Sequence, residues 1–227
     1  MYKRISKRLA AALFLSWAVA SPVHADVTVG TPTIGGNCYP FGCGYTGEYQ
    51  QVYGSSAFSG PININTVEFF FPAGGNPWTD NTGSYTLAFY LTSQPVNGLS
   101  TLPASNKGVL LSNFGTFTPG LSYTFVGNGF SYDPALGNLL LDIIASGTPS
   151  DSNALSYSNA NADPMSNLYR TGGTGAFKTS TNGLVTSFSA TAVPEPSSWA
   201  LLLLGFFAIG TVMRSRKSAQ ATLRQIA

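Results

Sequence analysis

The chain offers few residues that could act as a catalytic base or as a soft metal ligand. Its single histidine, His24, lies in an N-terminal segment that we expect to be removed on export. Without this histidine, Ser-His-Asp and Cys-His catalysis cannot operate, and a Cys/His zinc site is disfavoured. The acidic residues that remain fall in no glycosidase signature, and most lie in turn sequences. The sequence therefore predicts a protein that is not an enzyme and has no catalytic cofactor.

Two stretches place side-chain oxygens at alternate or nearby positions, which is how calcium sites are built. One is NANADP, with Asn159, Asn161 and Asp163, and the other is YDPALGN, with Asp133 and Asn138. Neither stretch has the spacing of an EF-hand, and Asn-Asp-Pro sequences are also common as plain turns. A structural calcium and an ordinary turn both stay open as interpretations.

Residues 1–25 have the three-part layout of a secretory signal peptide: a basic start, an apolar run and small residues before the expected cleavage after Ala25. Between Asp26 and Val193 the chain has three Lys or Arg and eight Asp or Glu, so this part carries a net charge of −5 although the whole chain carries +2. Because no basic stripe remains that could neutralise phosphates, we expect no binding to nucleic acid.

Two cysteines, Cys38 and Cys43, lie in GNCYPFGCGY within the exported part. An oxidising compartment and an even count predict a disulfide between them. The loop that it closes is short, so we expect the bridge to pin a local turn more than to stabilise the whole fold.

Short runs rich in aromatic and β-branched residues alternate with turns that contain Gly, Pro or Asn. In SYTLAFYLT, for example, Tyr85, Leu87 and Phe89 share one face. Other candidate strands are YQQVYGSSAF, ININ, TVEFFFP, LSYTFVGN, NLLLDIIAS and LVTSFSATA. The pattern predicts an all-β domain over residues 26–191, a β-sandwich that resembles a jelly roll, with helix only in the two terminal apolar segments. The predicted core residues are Phe69, Phe71, Leu87, Phe89, Phe117, Phe125, Leu139, Leu141, Ile143 and Phe188.

Several aromatic residues in or near the predicted loops could stack on the apolar faces of sugar rings. They are Tyr39, Tyr45, Trp78, Tyr132 and Tyr157, and Trp78 in NPWTDNTG is the best single candidate. The same rings could instead close the ends of the β domain, since large aromatic side chains contribute much of the apolar area that folding buries.

An apolar run near the C-terminus predicts a short transmembrane helix over residues 197–213. Such a helix would span about 25 Å, which is short against a hydrocarbon core of about 30 Å. Arg214, Arg216 and Lys217 follow directly and should stay cytoplasmic, which places the β domain outside. Residues 218–227 would then form a cytoplasmic tail.

The apolar run is preceded by Val193-Pro194-Glu195-Pro196. Each proline lacks an N–H donor and pushes the preceding residue toward extended geometry. The sequence therefore predicts a stiff, extended peptide that displays one carboxylate on the outer side of the membrane. Such a peptide could be bound by a processing enzyme at a low ordering cost.

Together, the signal peptide, the β domain, the Val193–Pro196 peptide, the short apolar helix and the basic cluster resemble the PEP-CTERM proteins. The resemblance implies that an exosortase, a membrane-embedded cysteine-type transpeptidase or protease, recognises segment 192–217 and removes the helix near Pro194–Pro196. It also implies association with exopolysaccharide and biofilm. The same tail occurs on some ice-binding proteins, but no regular Thr-x-Thr array supports that role here.

We therefore expect an exported protein that is anchored in the membrane by its C-terminal helix and then reaches the cell surface or the extracellular matrix. Its processing partners would be a signal peptidase and an exosortase, and its role would be non-catalytic. The alternative is a carbohydrate-binding module in the exopolysaccharide matrix.

Overall fold

The structure is a computed structural model that describes residues 26–31, 36–71, 81–149, 155–158, 163–170, 175–192 and 204–207. The chain divides into two compact units, Met1–Ala192 and Val193–Ala227. In the second unit, residues 204–207 are α-helical. Within the described ranges, no helix combines the length and the apolar character that a membrane crossing requires.

The first unit consists mainly of β-strands. In chain order they are β1 (Val27–Val29), β2 (Gly36–Asn37), β3 (Gly47–Tyr53), β4 (Ile62–Phe69), β5 (Ser84–Thr92), β6 (Leu110–Phe117), β7 (Thr124–Tyr132), β8 (Asn138–Ser146), β9 (Leu155–Ser158), β10 (Met165–Arg170), β11 (Phe177–Ser180), β12 (Gly183–Leu184) and β13 (Thr186–Ala192). The predicted all-β class is confirmed.

Helix also occurs between the strands, which the sequence did not lead us to expect. A one-turn helix, α1 (Pro103–Asn106), lies between β5 and β6, and 3-10 turns occupy Ser55–Ala57 and Pro134–Leu136. Two of these begin with a proline, whose fixed φ suits the first turn of a helix and whose missing N–H costs nothing there. Short turns of this kind carry no 3.6-residue periodicity that a sequence could reveal.

The strands form two large antiparallel sheets and a small one. The four-stranded sheet has the order β1-β13-β4-β7, the six-stranded sheet β11-β10-β3-β8-β5-β6, and the small sheet β12-β9-β2. The large sheets meet where β6 lies beside β7: the Ser112 hydroxyl donates to the Asn128 carbonyl (2.9 Å), and the Asn128 amide donates to the Asn113 carbonyl (2.9 Å). β1 and β11 form the opposite edges of the two sheets.

Aromatic rings of the two large sheets contact one another. Tyr53 of β3 packs edge-on against Phe188 of β13, with ring centroids 5.0 Å apart, and Phe89 of β5 stacks on Phe130 of β7 at 4.8 Å. Eight of the ten predicted core residues are buried. The other two, Phe71 and Phe117, are only partly buried because one lies beyond the end of β4 and the other is the last residue of β6.

Strand β4 is continuous across two of the predicted segments. ININ and TVEF form this single strand, in which TVEF continues ININ as the sequence predicted. Its pairing with β7 is irregular between Ile64 and Thr66, where Ile64 faces Phe130 and Thr66 faces Val126. Asn65 therefore lies opposite residues 127–129, and this bulge shapes the outer face of the four-stranded sheet.

Candidate functional site

The disulfide loop is the first predicted feature that the structure describes. Cys38 and Cys43 are joined, with their Cα atoms 5.6 Å apart, which confirms the predicted bridge. Within the loop, Phe41 is fully buried and packs against Phe69 and Tyr85, with ring centroids at 5.0 and 4.8 Å. The loop therefore inserts a ring into the hydrophobic core, and so contributes more than the local turn that the sequence predicted.

Two of the tyrosines considered for sugar stacking are buried core residues. The Tyr45 hydroxyl donates to the carbonyl of Glu48 (2.6 Å), and the Tyr132 hydroxyl donates to the carbonyl of Gly137 (2.8 Å). Burial raises the pKa of Tyr45 to about 12. Tyr39 is half-buried and packs against the same core. For these three rings, the interpretation that they close the fold is the one that the contacts support.

The predicted calcium stretch YDPALGN uses its side chains to hold turns. An Asp133 oxygen accepts from the Ala135 N–H (2.9 Å). The Asn138 side chain accepts from the Ser55 N–H (2.8 Å) and donates to the Gln94 carbonyl (2.9 Å). These contacts favour the ordinary-turn interpretation here. In the described part of the chain, no three His, Cys, Asp or Glu side chains are grouped so that they could hold a metal ion.

Several other predictions fall on positions that the structure does not describe. These are the cleavage site at Ala25, the side chains of Trp78 and Tyr157, the calcium candidates Asn159 and Asn161, the peptide Val193-Pro194-Glu195-Pro196, and the basic cluster Arg214, Arg216 and Lys217. They stay predictions from the sequence.

A group of charged side chains that sequence reasoning missed lies on the outer face of the six-stranded sheet. The Lys107 ammonium is 2.9 Å from Oε1 of Glu48 on β3 and 2.8 Å from Oδ2 of Asp142 on β8. The side-chain amide of Gln50 donates to both carboxylates, each at 3.1 Å. We call these four residues the Lys107 cluster.

The connection between β5 and β6, residues 93–109, covers much of the Lys107 cluster. The Asn106 amide donates to the Gln50 side chain (2.8 Å), and the Pro103 carbonyl accepts from Gln50 (3.1 Å). The Asp142 side chain is 5% exposed, whereas that of Lys107 is 25% exposed. The cluster is therefore largely shielded from water, with its lysine nearest the surface.

Burial raises the pKa of Asp142 to about 6, although Lys107 acts in the opposite direction. For Lys107 burial lowers the pKa, but the hydrogen bonds to Asp142 and Glu48 outweigh it, and the net effect is a raised pKa. The sequence did contain a signal for this cluster. Lys107 is the only Lys or Arg between Arg8 and Arg170, and Asp142 is an acid in the middle of the apolar strand NLLLDIIAS.

The outer face of the four-stranded sheet is polar but almost uncharged. Register aligns Thr28, Ser187, Glu68 and Thr124 in one row across all four strands. Glu68 is the only Asp, Glu, Lys or Arg in the sequences of these strands. The other exposed positions of this face include Thr, Asn and Ser side chains and the apolar Val126. We call it the hydroxyl–amide face.

A shallow depression of about 420 Å³ lies on the hydroxyl–amide face where β4 bulges. Asn63, Asn65, Gly129 and Ser131 are among the residues that line it. The Ser131 hydroxyl donates to the Asn63 side chain at 2.5 Å, which fixes one wall. The depression therefore presents hydrogen-bonding amide and hydroxyl groups and no charge.

The model of the PEP-CTERM protein-sorting motif matches residues 192–217. No curated protein and no solved structure matches the chain. The matched segment contains the Pro-Glu-Pro peptide, the apolar run and the basic cluster. This motif implies export, handling by an exosortase at the membrane and then location at the cell surface. The chain therefore carries a PEP-CTERM protein-sorting motif in its tail.

Proposed function

We propose that an exosortase delivers this protein to the cell surface or the extracellular matrix, where the folded domain acts by binding or scaffolding and not as an enzyme on other molecules. The sorting motif at residues 192–217 supports the delivery. The non-catalytic role is supported by the Lys107 cluster, whose charged groups are paired with one another beneath residues 93–109. Catalysis on an external substrate would require such groups to face a cleft.

The proposal includes the processing steps read from the sequence. A signal peptidase cuts after Ala25, residues 197–213 hold the precursor in the membrane, and Arg214, Arg216 and Lys217 keep its end in the cytoplasm. The exosortase then separates the domain from this helix near Pro194–Pro196.

In the same proposal the two large sheets form a β-sandwich. This arrangement is supported by the ring contacts between them, such as Tyr53 with Phe188 and Phe89 with Phe130. Sheets that pack face to face leave their outer faces available for ligands, one of which is the hydroxyl–amide face.

The second candidate function is carbohydrate binding within an exopolysaccharide matrix. The hydroxyl–amide face is the surface that would bind the sugar. Amide and hydroxyl side chains both donate and accept hydrogen bonds, as sugar hydroxyls do. The near absence of charge avoids repulsion from an acidic polysaccharide and the desolvation cost of an unpaired ion. The depression at Asn63, Asn65 and Ser131 could hold a single sugar unit.

A retention assay on immobilised exopolysaccharide tests this role. The processed protein should be retained, and Asn65→Ala and Ser131→Ala should weaken retention about 5- to 30-fold each, as expected for lost hydrogen bonds worth about 1–2 kcal/mol. Thr86→Ala, on the exposed outer face of the other large sheet, is the matched control and should bind normally. If the protein is not retained, or if all variants bind alike, the carbohydrate role fails while the sorting proposal still stands.

A further inference from the structure

We propose that the Lys107 side chain and the Asp142 side chain condense into an intramolecular amide with loss of one water, and that Glu48 carries the proton in this reaction. The cross-link is a modification of the chain by itself, in a single turnover. It does not depend on what the exported domain binds.

The geometry brings the reacting groups together. Nζ of Lys107 lies 2.8 Å from Oδ2 of Asp142, so the nitrogen is already in contact with the carboxyl group that it would attack. The same nitrogen lies 2.9 Å from Oε1 of Glu48. A nucleophile, an acyl acceptor and a general base therefore share one site, which is the arrangement that proximity catalysis requires.

Gln50 fixes the orientation of the acceptor. Its amide donates to Oδ1 of Asp142, the carboxyl oxygen that does not face the lysine, and to Oε1 of Glu48. A donor at Oδ1 polarises that oxygen as a carbonyl and stabilises negative charge that develops on it during attack. Oδ2, the oxygen beside Lys107, is then the one that leaves.

The surroundings favour the protonated carboxyl group that the reaction needs, whereas the raised pKa of Lys107 opposes the neutral amine. Amide formation requires a neutral amine and a protonated carboxyl group, and the resting ion pair reaches this state by proton transfer within its own hydrogen bond. Burial makes the protonated form of Asp142 accessible, with a pKa of about 6. The second carboxylate, on Glu48, adds to this effect by repulsion.

The step balances as follows. The Lys107 amine attacks Cγ of Asp142 and forms the C–N bond, and Glu48 takes a proton from the nitrogen. Glu48 then returns that proton to the departing Oδ2 hydroxyl, the C–O bond breaks, and one water leaves. The amide and the regenerated carboxylate of Glu48 remain, so the reaction consumes no oxidant, reductant or co-substrate.

Condensation of an amine with a carboxyl group is unfavourable in dilute water. The fold offsets this by holding the two groups together and by limiting access of water. Well-oriented intramolecular groups reach effective molarities on the order of 10⁵–10⁸ M. The side chain of Asp142 is 5% exposed beneath residues 93–109, which limits the return of water to the product. The product joins the β5–β6 connection covalently to the central strand β8.

Mass spectrometry of the full chain tests the proposal. Lys107 is the only Lys or Arg between Arg8 and Arg170, so trypsin should cut the denatured, reduced chain after Lys107 unless its amine is acylated. We expect no cut there, and a peptide that runs through to Arg170 with a mass one water lower than its sequence. Chymotryptic fragments should then place the branch between Lys107 and Asp142.

Variants separate the cross-link from a plain ion pair. Glu48→Gln should slow formation of the linked form by a factor on the order of 100, while Glu68→Gln, an exposed glutamate on the other large sheet, should leave the rate unchanged. Asp142→Ala should restore the cut after Lys107 and the full mass. A wild-type chain that is cut completely after Lys107 at its sequence mass, or an uncut peptide without the mass loss, overturns the cross-link. Equal rates for Glu48→Gln and wild type overturn the role of Glu48.

Discussion

The backbone carbonyl of Phe41 accepts a hydrogen bond from the side-chain amide of Asn81, a residue 40 positions away in the chain. The oxygen of the same side chain accepts from the Gly83 N–H (2.9 Å) and from the Tyr85 hydroxyl (3.0 Å). One buried asparagine therefore ties the disulfide loop to the start of β5. The ring of Phe41 and this polar contact position the loop together.

Removal of the disulfide should lower stability by a moderate amount. By restricting the unfolded chain, a disulfide that closes so short a loop contributes about 2 kcal/mol to stability. The position of the loop also affects packing of the core, because Phe41 is inserted there. We expect Cys38→Ser with Cys43→Ser to lower the free energy of unfolding by about this amount in urea denaturation. An unchanged midpoint would mean that Phe41 and Asn81 hold the loop without the bridge.

Substitution by alanine should lower stability very differently at two glycines of β7. A Cβ at Gly127 would lie 2.3 Å from the Phe114 carbonyl oxygen, whereas one at Gly129 would meet nothing closer than Asn65 Cβ at 3.5 Å. Gly127→Ala should therefore cost about 1–3 kcal/mol because the backbone must shift. Gly129→Ala should stay within about 0.5 kcal/mol of wild type. Urea denaturation of both variants gives the comparison, and equal losses would contradict it.

Alkaline pH should unfold the domain through its buried tyrosines. Burial raises the pKa of Tyr45 to about 12 and also raises those of Tyr49, Tyr53, Tyr85 and Tyr132. The unfolded chain releases these protons near pH 10 while the folded state keeps them, so stability is complete below about pH 10 and declines above it.

An ultraviolet titration of tyrosine ionisation, followed together with circular dichroism, checks this. The tyrosines with raised pKa values should ionise together with unfolding, and Tyr53→Phe should shift the unfolding transition to higher pH. Ionisation of every tyrosine near pH 10 in a folded domain would show that the rings are accessible to solvent.

Sorting should depend on the charged residues of the tail. Glu195→Ala removes the carboxylate that the extended Pro-Glu-Pro peptide displays, and neutral residues at Arg214, Arg216 and Lys217 remove the cytoplasmic stop signal. Both changes should leave a precursor whose intact mass includes the C-terminal helix, recovered with membranes. Glu68→Ala, in the folded domain, is the control. Normal processing of the tail variants would refute the sorting mechanism.

The sequence predicted the strands best where one physical signal dominates a segment. Strands β5 and β8 match SYTLAFYLT and NLLLDIIAS residue for residue, because alternation in one and a continuous apolar run in the other leave little choice. Strands β6 and β10 were missed because polar residues interrupt them, such as Asn113 in β6 and Asn167 in β10. Tertiary pairing, not local preference, makes these segments strands.

The Lys107 cluster could not be predicted from the sequence for a different reason. Glu48, Lys107 and Asp142 come from β3, the β5–β6 connection and β8, and only the pairing of β3 with β8 brings the two acids together. Their chemistry depends on burial beneath residues 93–109, which no local pattern encodes. The isolated charge of Lys107 and the acid Asp142 within NLLLDIIAS marked two positions, but not the contact between them.

The meeting of β6 and β7 has a consequence for a domain that carries a sorting motif for export. Strand edges with unpaired backbone groups invite other chains to add to a sheet. Here the two longest edge strands of the large sheets lie against each other, linked through Asn128. The opposite edges, β1 and β11, are 3 and 4 residues long, too short to template extended pairing. The domain can therefore be crowded at a surface, copy beside copy, with little tendency to aggregate through its two large sheets.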